Sequence, residues 1–255
     1  MKGDIYVTFL IALVEALLFA ILCRGAIKKH PGVFYAISIA MVAFLFYYRI
    51  ANLYQVFPEW TYTYLIAPFW RGAFATALFV IVMYLGAIEK KHDVTKQLMQ
   101  IRGELAIIGS LITLAHSIAY GIYYVPAVFY TPQELSLRDI VALIFTVPLF
   151  VVMILLMVTS FRTVRRKMKA RTWKKIQRLS YAWFALLYIY IMGLMVPSAI
   201  ELLSEGCGGE LFYQVSYVFS VVLYTVVFGT YAVLRVRKYR RDKQKRVARL
   251  HLVTA

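Results

Sequence analysis

Seven apolar stretches, each long enough to cross a bilayer, constrain this chain more than any other feature. They lie at about 5–23, 33–56, 64–88, 104–125, 140–161, 179–203 and 212–234, and a spanning helix needs roughly 20 mostly apolar residues. Hydrocarbon cannot satisfy backbone polar groups, so runs of this length are helices. Pro68, Pro148 and Pro197 lie inside runs, which membrane helices tolerate when neighbours satisfy the freed carbonyl. The expected fold class is all-α: a polytopic membrane helical bundle of seven transmembrane helices, forming one domain over residues 1–255. The expected location is the cell membrane, multi-pass. A hydrophobic fraction of 62% excludes a soluble globular enzyme, a disordered chain and a disulfide scaffold. The start carries Lys2 and Asp4 and lacks a basic n-region with a small-residue cleavage site, so the first run reads as a retained helix.

The net charge of +17 points to topology rather than nucleic acid, because it is blocked between runs. Of the 29 Lys and Arg, 25 fall in four segments: after the first run, after the third, in 162–178 and from Arg235 onward. The other connections hold Lys2 and Arg138 together with Asp4, Glu59, Glu134, Asp139, Glu205 and Glu210. Positive segments stay cytoplasmic during insertion, so the N-terminus is expected outside and the C-terminus cytoplasmic. The basic blocks serve as topology signals and attract anionic lipid, worth about 1 kcal/mol per residue near the surface. A docking face for an acidic cytoplasmic partner, with Arg165, Arg166 and Lys167 in its centre, is compatible with that. Cys23 and Cys207 are expected on opposite faces, and so unpaired.

Ionisable groups at bilayer depth are costly and mark function. Glu15, Arg49, Arg71 and His116 stand out. With 14 residues from Arg102, His116 lies roughly 21 Å deep at 1.5 Å per residue, in the outer half, and Arg49 and Arg71 reach that half too. Imidazole ligates haem iron, and Arg suits carboxylates, haem propionates included. Two bland roles stay open. His116 can hydrogen-bond a neighbouring helix, and the arginines can snorkel or pair with Glu201 or Glu59. His30, His92 and His251 fall in cytoplasmic segments and read as solvated.

From the third run to the sixth the order of features is distinctive. Gly72 opens an apolar run that ends near Ile88. Arg102 begins RGELAIIGSLITLAHSIAYGIYY, MVTSF closes the next helix at 157–161, and WKKIQRLSYAWFALLYIY follows at 173–190. This resembles the ferric reductase-like transmembrane family, over a core of about 64–203. Within it, the chain looks most like the haem-binding membrane subunit of the bacterial methionine sulfoxide reductase system. His116 matches the family's first histidine, and Trp173, Arg178, Leu179 and Tyr181 fit its later pattern. Gln177 and Tyr190 stand where two further histidines would be.

The resemblance implies a transmembrane electron-transfer subunit with one possible haem b, cofactor-binding residues His116, Tyr190, Arg49 and Arg71, and His116 as iron ligand. Tyr190 would lie level with His116. A five-coordinate haem, or no haem, is the alternative, and Met192 and Met195 miss the ligand position. No GxGxxG stretch and no intrinsic NAD or flavin domain is found. Electrons would therefore come from a cytoplasmic flavoprotein or quinone and leave to an outer-face redox partner. The lipid bilayer is the remaining partner, and nucleic acid is excluded. Other readings are a haem-free membrane anchor or assembly subunit on the same scaffold, and a seven-helix sensor or transporter. The 20 Tyr and four Trp read mainly as interfacial belts and packing, with an aromatic electron path as a minor role.

Overall fold

The computed structural model of the chain describes residues 8–89, 92–204 and 211–254. It is 92% helical, and no strand occurs among the described residues. The helices are α1 (Thr8–Lys29), α2 (Pro31–Ile50), α3 (Glu59–Trp70), α4 (Ala73–Ala87), α5 (Asp93–Gln100), α6 (Arg102–Tyr130), α7 (Leu137–Ser160), α8 (Arg162–Lys167), α9 (Ala170–Gln177), α10 (Leu179–Ser204) and α11 (Leu211–Thr254). Six described helical stretches are long and apolar enough to cross a membrane, and α3 with α4 makes a seventh as one bent crossing.

Two of the expected runs take a different form. The third is broken: α3 and α4 meet at Arg71–Gly72 with a bend of 56°. Pro68 lacks an N–H and crowds the carbonyl one turn back, and a π-helical turn at Tyr62–Ile66 precedes it. Gly72, at φ +73°, then supplies the left-handed residue that ends α3. The seventh run continues unbroken to Thr254, about 20 residues past its apolar end. The basic tail contains neither Gly nor Pro to stop the helix.

The centre of the bundle is α4, where Phe74, Ala77, Leu78, Phe79 and Val80 are all buried. Against it α1 presents Ala12, Ala16 and Ala20, fully buried and four residues apart. Small residues at that spacing let two backbones approach closely, and in lipid that packing drives association. Trp183 of α10 closes the other side: its ring meets Phe79 edge-on at 4.7 Å and its Nε1–H donates to Leu149 O at 2.7 Å.

The four basic segments meet at one end. Arg24 donates to Gln97, and Lys28 Nζ donates to Gln100 Oε1 at 2.7 Å. Lys238 Nζ reaches Gly86 O at 2.6 Å, and Arg241 pairs with Glu89. Since α2 leaves this end and Glu89 lies back at it, the bent α3–α4 pair counts as one crossing. This basic face lies opposite the end that holds Glu134 and Asp139. Lys2, Asp4, Lys90, Lys91, Glu205, Cys207 and Glu210 lie outside the described residues. Cys23 is a free thiol.

Candidate functional site

The helix break builds the site. Trp70 O is one of the last carbonyls of α3 and has lost its helical donor. The vacancy is filled from α6: His116 Nδ1 lies 3.1 Å from Trp70 O. A carbonyl only accepts, so Nδ1 carries the proton and donates. In the neutral ring the lone pair is then on Nε2. Gly72 makes the approach possible, because a Cβ there would sit 3.3 Å from His116 Cγ. The hydrogen bond to a neighbouring helix, open as a bland role for His116, is thus present, and it occupies Nδ1.

The other expected residues gather around the next turn of α6. Tyr120 packs its ring 4.6 Å from that of His116, and lies within electrostatic reach of Arg71, Arg49, Tyr62 and Tyr190. Tyr190 is also within electrostatic reach of Tyr124. Arg49 lies 5.8 Å over the Trp70 ring. Arg71 lies 5.9 Å over Tyr62 and is 3.4 Å from Thr8 Oγ1. The Trp70 face holds the Arg49 guanidinium while leaving most of its donors for another partner. Neither Glu59 nor Glu201 pairs with Arg49 among the described residues. No three His, Cys, Asp or Glu side chains converge among those residues, which leaves His116 as the imidazole of this site.

Sequence reasoning missed Tyr120 and Trp70. Tyr120 was detectable, since it follows His116 by four residues and therefore shares its helix face. The role of Trp70 depends on a break in an apolar run, which no residue spacing announces. Beyond Tyr120 the aromatic line continues: Tyr124 stacks at 6.3 Å and its hydroxyl donates to Asp139 Oδ1 at 3.0 Å. Asp139 also closes the capping box of α7, accepting from Ser136 N at 3.0 Å.

Gln177, at the position of the replaced histidine, lies towards the basic face, away from this cluster. Its Nε2 donates to Thr159 Oγ1 at 3.0 Å, and Trp173 Nε1 donates to Thr159 O at 3.0 Å. Together with Arg102, Arg165 and Arg166 they line a cavity of about 700 Å³. Two of the arginines expected on a docking face therefore border a cavity. Glu15, midway along α1, has a buried Oε2 without a partner among the described residues.

Comparison with known proteins places part of this arrangement. No solved structure matches the chain. An uncharacterized protein of Treponema pallidum (strain Nichols) is 36% identical over 217 residues, covering 83% of this chain. The chain spans 55% of that protein's length. Residues 71–188, from the helix break through His116 to Tyr188, match the ferric reductase like transmembrane component. Over that stretch, a little under half of the chain, the sequence is similar to the ferric reductase-like transmembrane family.

Proposed function

We propose that the chain is a transmembrane electron-transfer subunit that carries one b-type haem in the half opposite the basic face. The observation that carries this reading is the hydrogen bond from His116 Nδ1 to Trp70 O. Imidazoles that ligate a metal usually give their other N–H to a carbonyl or carboxylate, which fixes the ring and raises its basicity. His116 meets that condition, and Nε2 is the donor atom it would offer. Arg49 and Arg71, held on aromatic faces, would neutralise propionates that are otherwise costly at depth. Tyr190 is the second side chain that would offer the iron a ligand. Bound haem supplies one-electron chemistry. The protein's part is to fix the imidazole tautomer, to hold counter-charges and to keep water out of the helix break.

The reading includes a separate donor at the basic face, a cytoplasmic flavoprotein or quinone. Lys167, Arg171, Lys174 and Lys175, all exposed, would present the charge that steers an acidic flavoprotein. An outer-face acceptor would be served by the Tyr120–Tyr124 line towards Asp139.

The test is an absorption spectrum of purified protein, made with ample haem, before and after dithionite. A Soret band that disappears in His116→Ala, and shifts or changes spin state in Tyr190→Phe, is the expected result. His116→Asn keeps a donor for Trp70 O and so separates lost ligation from lost folding. A Soret band unchanged in His116→Ala overturns the site, and a colourless, folded protein supports the haem-free anchor instead.

A further inference from the structure

The cavity at the basic face has a mouth and a depth of opposite character. At the mouth stand Arg102, Arg162, Arg165 and Arg166. Only Arg162 is neutralised among the described residues, by the buried Glu104 at 2.6 Å. Arg102, Arg165 and Arg166 line the same cavity without an ion pair among the described residues. Arg165 is held 4.4 Å over the Trp173 ring, which Thr159 fixes in turn. Gly86 leaves room for Arg102, since a Cβ there would come within 3.0 Å of its Nη1.

The depth is lined by Phe79, Met83, Met153, Leu156, Met157 and Trp183. Its hydroxyls turn away from the space: Ser110 donates to Ala106 O at 2.8 Å, Ser160 to Leu156 O at 2.7 Å and Ser180 to Gln177 O at 2.7 Å. Methionine side chains are flexible and polarizable, and adapt to an irregular apolar body. The space of about 700 Å³ exceeds what a small anion fills and falls in the range of sites that enclose a whole ligand.

We infer that this cavity binds an anionic phospholipid from the leaflet at the basic face, its phosphate held by Arg102, Arg165 and Arg166 and its acyl chain lying among the methionines. Charge complementarity selects the headgroup: basic pockets between membrane helices at this level suit acidic lipids, and Arg pairs with phosphate through several parallel donors. The apolar depth selects an amphiphile over a soluble phosphate. The inference is independent of whether His116 holds haem.

Native mass spectrometry of the full chain, delipidated in neutral detergent and titrated with phosphatidylglycerol, phosphatidylcholine of the same chains, or inorganic phosphate, tests it. Phosphatidylglycerol should be retained about tenfold more tightly than phosphatidylcholine. Arg165→Gln combined with Arg166→Gln should erase that preference, and Ala106→Phe, which fills the depth without changing charge, should lower retention of both lipids. Lys243→Gln with Lys245→Gln, on the exposed tail, should leave the preference intact. Equal retention of the two lipids, equal loss in the tail variant, or displacement by inorganic phosphate at the lipid's own concentration would each overturn the proposal. Retained thermal unfolding of the charge variants excludes misfolding as the cause of a loss.

Discussion

The helix break around His116 and the basic-face cavity around Gln177 share α4 and α6 and are built in opposite ways. At the break, backbone geometry decides everything. A proline, a π turn and a left-handed glycine free one carbonyl, and an imidazole from α6 is the group that satisfies it. In the cavity, long side chains do the work: arginines at the mouth and methionines in the depth surround open space, and Gln177 is tied to a threonine hydroxyl. A frozen polar group in a tight fold suits fixed ligation, whereas adaptable side chains around a void suit a ligand of variable shape. The difference teaches that two neighbouring levels of one bundle need not serve the same chemistry, even where the residues align with one repeated pattern.

The comparison breaks most visibly in a spectrum. His116→Ala should remove the haem signal almost entirely, while Gln177→Ala should leave it within about twofold, because Gln177 belongs to the other level. A Soret band equally sensitive to both would mean that one site spans both levels. Tyr120→Phe keeps the ring on His116 but loses the hydroxyl among Arg49, Arg71 and Tyr190. It should perturb the reduction potential more than the ligation, read by redox titration against the wild type.

Glycine substitutions sharpen the contrast in stability. Gly72→Ala places a side chain at φ +73°, which costs roughly 1–2 kcal/mol for an L-residue, and presses it against His116 at 3.3 Å. Gly103→Ala, beside the cavity, meets Ser160 O at an ordinary 3.7 Å. Within α6 it should be neutral or gain about 0.5–1 kcal/mol from the better helix former. Thermal unfolding in detergent distinguishes them, and a Gly72→Ala protein as stable as Gly103→Ala would show that the break tolerates a Cβ. A small effect is also expected from Thr159→Val. It deletes the acceptor for Gln177 while keeping the carbonyl that holds Trp173, at a cost of about 1 kcal/mol. Unchanged Trp173 fluorescence alongside a small loss of stability is the expected outcome.

Glu15 stands apart from both regions and tests the price of buried charge. Its Oε2, without a partner among the described residues, predicts that Glu15→Leu raises stability by about 1–3 kcal/mol, and a fall instead would mean that the carboxylate has a partner the bundle needs.

What the sequence by itself determined was the number of crossings, their all-helical character and the meeting of the four basic segments at one end. Each rests on a property of residues taken singly or in runs: apolar length against bilayer thickness, and charge against a side of the membrane. That His116, Arg49 and Arg71 come together, as they do around Trp70, was legible for the same reason, as a count of residues along a rigid rise. The tertiary structure alone decided what those groups touch. Whether the third run stays straight depends on how Pro68 and Gly72 are accommodated between α1 and α6, and the partner of His116 follows from that bend. The cavity, likewise, is a property of seven helices, α4 to α10, whose side chains fail to fill a common space, and no one of those helices carries a sign of it in its own sequence.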